Sequence, residues 1–85
     1  MKISYTKTFI KQAKKLSPEQ RTRLQERIGI FSENPLHPIL RNHALKGRYK
    51  EYRSIDVSGD IRALYLQAEN EAIFEVVGTH SQLYG

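Results

Sequence analysis

The 85-residue chain has no cysteine, which excludes a disulfide framework, thiolate catalysis and cysteine-ligated zinc folds together. Its fold must rest on packing alone. Long apolar runs are also missing: the longest, Ala63 to Leu66, falls far short of the roughly 18 residues a membrane span needs, and the first few residues are already polar. A cytoplasmic chain without membrane association is expected. Neither a GxxxxGK(S/T) loop nor a GxGxxG turn is present, and the nucleophile elbow of serine hydrolases is absent too. No HExxH helix exists; His37 and His43 lie six apart in a proline-containing stretch and His80 stands alone near the end. No metal site and no cofactor is therefore expected. A chain this short buries one core of about two layers, so residues 1–85 are read as a single domain.

Acidic residues are scarce in one half only. Residues 1–50 carry 12 basic and 3 acidic side chains, a net of +9, whereas residues 51–85 carry 2 basic and 6 acidic ones, a net of −4. The whole chain is at +5, with a pI near 9.7. A basic surface of this kind attracts polyanions, so nucleic acid or an acidic protein is the expected partner; a solvated helical face is the plainer alternative.

Ile3 and Tyr5 alternate with Lys2, Ser4 and Thr6, the period of a half-buried strand. From Phe9 the period lengthens: Phe9, Ala13 and Leu16 predict a short amphipathic helix that stops at Ser17. Ser17-Pro18-Glu19-Gln20 supplies an N-cap, a proline at the first helical position and a capping-box glutamine. A second helix follows through Leu24, Ile28 and Phe31 and ends at Asn34-Pro35, because the residue before proline leaves the helical region. Residues 35–47 show no usable period and read as a connecting loop. Beyond it, the runs 48–57, 61–67 and 72–77 are separated by the turns Ser58-Gly59-Asp60 and Glu69-Asn70-Glu71, which predicts an antiparallel meander. The expected class is α+β, in the order β-α-α-β-β-β, with a helical hairpin packed on an antiparallel sheet.

Alternation along the first meander strand puts Glu51, Arg53 and Ile55 on one face and Tyr52, Ser54 and Asp56 on the other. On the next strand Arg62 shares a face with Leu64 and Leu66. An arginine there needs solvent or a carboxylate, because an unpaired buried charge is very costly. It either pairs with Asp56 or Asp60 to hold the sheet or presents its guanidinium fork to phosphate. After the last strand comes His80, and four residues later Tyr84. The imidazole can shuttle a proton at neutral pH and the tyrosine ring can stack on a base. Cleaving RNA without metal needs a base for the 2′-OH proton, cations for the phosphate and an acid for the leaving 5′ oxygen. Histidine, aspartate, arginine and lysine supply those parts.

Several segments together carry a resemblance over nearly the whole chain: His43-Ala44-Leu45-Lys46-Gly47 followed by Tyr49-Lys50-Glu51-Tyr52-Arg53, then Gly59-Asp60-Ile61-Arg62-Ala63-Leu64-Tyr65, and Val77-Gly78-Thr79-His80-Ser81-Gln82-Leu83-Tyr84. With the element order they resemble the RelE/ParE superfamily of bacterial toxins from type II toxin-antitoxin operons, and within it the YafQ-like mRNA interferases. The resemblance implies a toxin that enters the ribosomal A site, cuts the mRNA there and is silenced by a cognate acidic antitoxin. It matches His43 and His80 to the family's first and last functional histidines, Asp60 to its carboxylate, Tyr84 to its terminal aromatic and Arg62 to the arginine common in the RelE group. Asp56 stands where YafQ-like toxins have a further histidine, and an ordinary aspartate, already ionised at neutral pH, has no proton to give; it could orient His80 or act as a base. The expected catalytic set is His80, His43, Asp60, Asp56 and Arg62, with His80 leading the proton transfer. Lys46, Lys50, Arg53 and Tyr84 are the expected RNA-binding residues, Arg53 and Lys46 holding the scissile phosphate with Arg62. Two other outcomes fit the same scaffold: a ParE-like inhibitor of DNA gyrase, and an inactive module that only binds antitoxin or nucleic acid.

Overall fold

The computed structural model describes residues 1–84. Its chain runs through β1 (Lys2–Tyr5), α1 (Lys7–Lys14), α2 (Pro18–Glu33), β2 (His43–Ala44), β3 (Tyr52–Ser58), β4 (Ile61–Ala68), β5 (Glu71–Thr79) and α3 (His80–Tyr84). Helix α1 starts two residues ahead of Phe9 because Thr6 caps it, the Thr6 hydroxyl accepting the Phe9 N–H at 3.1 Å. At α2 the capping box closes in both directions: the Gln20 N–H donates to Ser17 Oγ (3.2 Å) and the Ser17 N–H to Gln20 Oε1 (3.0 Å). The helix ends at Glu33, and Asn34, with φ −151°, is extended ahead of Pro35.

The five strands form one sheet in the order β1-β5-β4-β3-β2. Strands β3, β4 and β5 are the expected meander, turning through Gly59 (φ +46°) and Asn70 (φ +59°). Three features differ from expectation. The sheet is mixed, since β1 pairs with β5 in parallel; the outer edge of β5 is where β1 finds its partners, the Lys2 N–H on the Asn70 carbonyl (2.9 Å) and the Thr6 N–H on that of Phe74 (3.0 Å). The stretch read as a plain loop holds β2, whose His43 and Ala44 pair with Ser54 and Arg53 of β3, a ladder too short to leave a period in sequence. The third is the chain end after β5, which is helical.

Helices α1 and α2 cover one face of the sheet. Phe31 meets Tyr65 at 4.9 Å and Phe74 at 5.3 Å, both edge-on, and all three rings are buried. Phe9 of α1 extends the cluster to Phe74 at 5.7 Å. The phenol at the end of Tyr65 needs a partner in this apolar layer, and Asn42 provides it: Asn42 Nδ2 donates to Tyr65 Oη (2.7 Å) and to the Pro35 carbonyl (3.0 Å). Asn42 Oδ1 in turn accepts from Arg53 Nε at 2.9 Å. One carboxamide thus ties residues 35–44 to the core and to β3. Replacing Asn42 with alanine should cost about 1–3 kcal/mol, the usual penalty for stranding buried polar groups, and urea denaturation against wild type measures it.

Candidate functional site

The second face of the sheet carries Tyr52, Ser54 and Asp56 from β3 beside Leu66, Leu64 and Arg62 from β4, paired in that register. No long helix covers it. Among the described residues the segment from β2 through the 3₁₀ turn Gly47–Tyr49 and α3 border a cleft of about 300 Å³ on this face. Its wall on one side is His43, Leu45, Lys46 and Tyr49; on the other it is His80 and Tyr84, with Ser54 and Arg62 on the floor.

Each wall is fixed by a local device. His43 sits across from Ser54 because β2 pairs there, and its ring Nδ1 is 2.8 Å from the Arg41 carbonyl. A carbonyl only accepts, so Nδ1 carries the proton and Nε2 of the neutral ring holds a lone pair. Helix α3 is started by a second capping box: the Thr79 N–H donates to Gln82 Oε1 (2.8 Å) and the Gln82 N–H to Thr79 Oγ1 (3.1 Å). Gly78 leaves room for this, since a β-carbon there would stand 2.8 Å from Gln82 Oε1. The His80 N–H adds a bond to the Asp60 carbonyl (3.1 Å), buried Leu83 anchors the helix, and Tyr49 Oη donates to the Leu83 carbonyl at 2.7 Å. The rings of His80 and Tyr84, one turn apart, are 4.7 Å apart, and Tyr84 meets Tyr49 edge-on at 5.4 Å. Burial pushes the Tyr84 phenol above the ordinary tyrosine range, against the nearby Ser54 hydroxyl, which would hydrogen-bond the phenolate, and the charge of Arg62. It is therefore neutral at pH 7.

Four of the expected residues thus share the cleft with Arg62: His43, Lys46, His80 and Tyr84. The other four lie elsewhere. Asp56 is engaged by Arg62 Nε at 3.0 Å and by Arg41 Nε at 3.6 Å, so its carboxylate is turned to two guanidinium groups instead of to His80. Arg62 is further tied through Nη1 to the carbonyls of Gly59 (2.7 Å) and Ile61 (3.1 Å). The pairing of Arg62 with Asp56 is the sheet-holding arrangement considered from sequence. The Asp60 side chain is exposed on the β3–β4 turn and off the cleft lining; the residue reaches α3 through its carbonyl. Lys50 is exposed beyond the 3₁₀ turn. Arg53 lies off the cleft lining: it shares the helix-side face with Ile55 and Tyr65 and donates from Nε to Asn42. His37 caps the turn Pro38–Leu40, accepting the Ile39 N–H at 3.1 Å. Among the described residues no three His, Asp or Glu side chains gather to hold a metal.

The sequence reading missed Tyr49, Ser54 and the Thr79–Gln82 box. The box was legible, since T-x-x-Q has the same form as Ser17–Gln20. Ser54 had no signal beyond sharing a face with Asp56.

Comparison with known proteins places the chain in a family and agrees with its fold. The model of a family described as a bacterial toxin of type II toxin-antitoxin system, YafQ, matches residues 1–85. The chain is similar to the crystal structure of YafQ from E. coli, with 26% identity over 98% of this chain and 97% of that one and a TM-score of 0.83. It is similar to the toxin in the E. coli DinJ-YafQ toxin-antitoxin complex, with 26% identity over 98% and 96% and a TM-score of 0.80. A YoeB/ParE toxin from Agrobacterium tumefaciens, 15% identical over 94% and 99% with a TM-score of 0.77, shares the fold. Comparison with curated protein sequences finds no match.

The second capping box generates a prediction. Changing Gln82 to alanine should fray α3 at a global cost of only about 1 kcal/mol, so hydrogen exchange at the amides of residues 80–84 should accelerate while the β4 amides keep their protection. Unchanged exchange in α3 would show that the box does not hold it.

Proposed function

The chain belongs to the YafQ family of toxins from type II toxin-antitoxin systems, and from that premise we propose that it is an endoribonuclease that cuts mRNA on the ribosome by acid-base catalysis without a metal. The observation that carries this reading is the convergence of two imidazoles and two cations, His43, His80, Lys46 and Arg62, on one cleft. His43 Nε2, with its lone pair, takes the 2′-OH proton. The 2′ oxygen attacks the adjacent phosphorus, the bond to the 5′ oxygen breaks, and His80 gives that oxygen its proton. Products are a 2′,3′-cyclic phosphate and a free 5′-OH. Arg62, steadied by Asp56, and Lys46 balance the charge that builds on the phosphate. Tyr84, neutral and half-buried over the cleft, offers its ring as a surface for a base. Lys50 lies outside the chemistry and adds to the field that draws the polyanion in.

An acidic antitoxin is part of the same proposal. DinJ and YafQ of E. coli form a toxin-antitoxin complex, and the +9 half of this chain suits an acidic partner. Between α1 and α2 an open apolar groove of about 540 Å³ exposes Ile10 and Tyr5, with Lys14 and Arg21 lining it as well. That combination fits the apolar side of an acidic amphipathic segment.

Brief expression in bacteria beside the His80→Ala variant, with mRNA 5′ ends mapped by primer extension, tests the reading. In-frame cuts should appear within minutes for wild type and fall by about 10² or more in the variant, the lower end of what a positioned acid contributes. Equal cutting would remove His80 from the chemistry, and growth arrest with intact mRNA and a DNA-damage response would move the function to gyrase inhibition. RNA affinity should also drop steeply as salt is raised, because bound cations release counterions from the phosphates; a flat salt titration is the contrary result.

A further inference from the structure

Among the described residues one buried side-chain polar atom makes no well-formed hydrogen bond, Ser54 Oγ, and the group nearest to pairing with it is the Tyr84 phenol. The residue is only 1% exposed. It lies in the middle of β3, between His43 of β2 and Leu64 of β4, on the cleft floor under Tyr84. Buried hydroxyls are nearly always bonded, so an orphan in an otherwise well-satisfied sheet calls for a reason. The strand pairing of β3 does not use it, and its one neighbour able to pair is the Tyr84 phenol.

The surroundings say what would complete it. Lys46, Arg62 and two histidines line the same cleft, whereas no carboxylate does, the nearby Asp56 being held by Arg41 and Arg62. A hydroxyl donor beside guanidinium and ammonium groups, with no anionic acceptor among them, is a set that an oxyanion satisfies. Tyr84 is the cover: it belongs to the last turn of α3, packs through ring contacts to Tyr49 and His80, and has no backbone bond across the cleft.

We infer that Ser54 is a phosphate-binding residue of the cleft, its hydroxyl donating to a non-bridging oxygen of the scissile phosphodiester next to Arg62 once Tyr84 has turned outward onto a base. This rests on the endoribonuclease reading and names a contact within it. The donor is then left without a well-formed bond in the free protein and gains one in the complex, so its cost is recovered when substrate is bound.

The Ser54→Ala variant separates this role from a structural one. A structural hydroxyl, such as one needed to hold Tyr84, would lower the melting temperature and loosen α3 when removed. A substrate-completed hydroxyl leaves the melting temperature equal or higher and weakens binding. The probe is a fluorescently labelled RNA trinucleotide with 2′-O-methyl groups, which cannot be cleaved, titrated by anisotropy into wild type and variant. Affinity should fall roughly tenfold or more, as for the loss of a hydrogen bond to a charged group, with the melting temperature not reduced. Equal affinity, a lowered melting temperature, or failure of wild type to bind the probe would each overturn the assignment. Cleavage is scored separately in cells: a wild type that binds through Ser54 and cuts no mRNA would sink the nuclease reading and leave Ser54 as an anion-binding residue.

Discussion

Strand β4 is buried on both faces, and the layout of the molecule follows from that constraint. Ala63 and Tyr65 face the helices while Leu64 is equally enclosed on the other side. A chain of 85 residues has only one pair of helices long enough to cover a sheet face, so the second face is roofed by small pieces: a two-residue strand, a 3₁₀ turn and a five-residue helix. Small pieces enclose incompletely. The gap they leave is the cleft, its floor the sheet itself and its walls segments held by caps, a few hydrogen bonds and the buried Leu83.

Arg53 and Asp56 sit three apart on β3, and the pleat sends Arg53 to the helix side and Asp56 to the cleft side. Arg53 completes the bonds of Asn42, which itself satisfies Tyr65; the trio anchors the chain just before His43 and so sets where that imidazole lies. Asp56, which stands in place of a family histidine, is neutralised by arginines on two sides. In the structure Asp56 is the carboxylate that holds Arg62 beside the cleft.

Much of the fold was legible in the sequence. The Ser17–Gln20 box, the Asn34-Pro35 stop, the two turns of the meander and the alternation of β3 and β4 are local signals with local causes, and the structure follows each. The pairing of Arg62 with Asp56 was legible too, as one of two partners that alternation allowed. Strand β2 was hidden because two residues carry no period, and the parallel seating of β1 on β5 joins segments that only the finished fold brings together.

Sequence by itself determined the composition of the site: an amphipathic helical pair, a meander, a basic first half, histidines at 43 and 80 and an aromatic at 84. Which of those residues meet was decided by the tertiary structure. Local patterns act over three or four residues, so they can say which way a side chain points along a strand. They cannot say that the Gly47–Tyr49 turn closes over the end of β5, that Arg53 is diverted to Asn42, or that Ser54 is sealed beneath Tyr84. Those are contacts between segments some 10 to 35 residues apart, and they exist because a sheet with one helical layer must cover its other face with whatever chain remains.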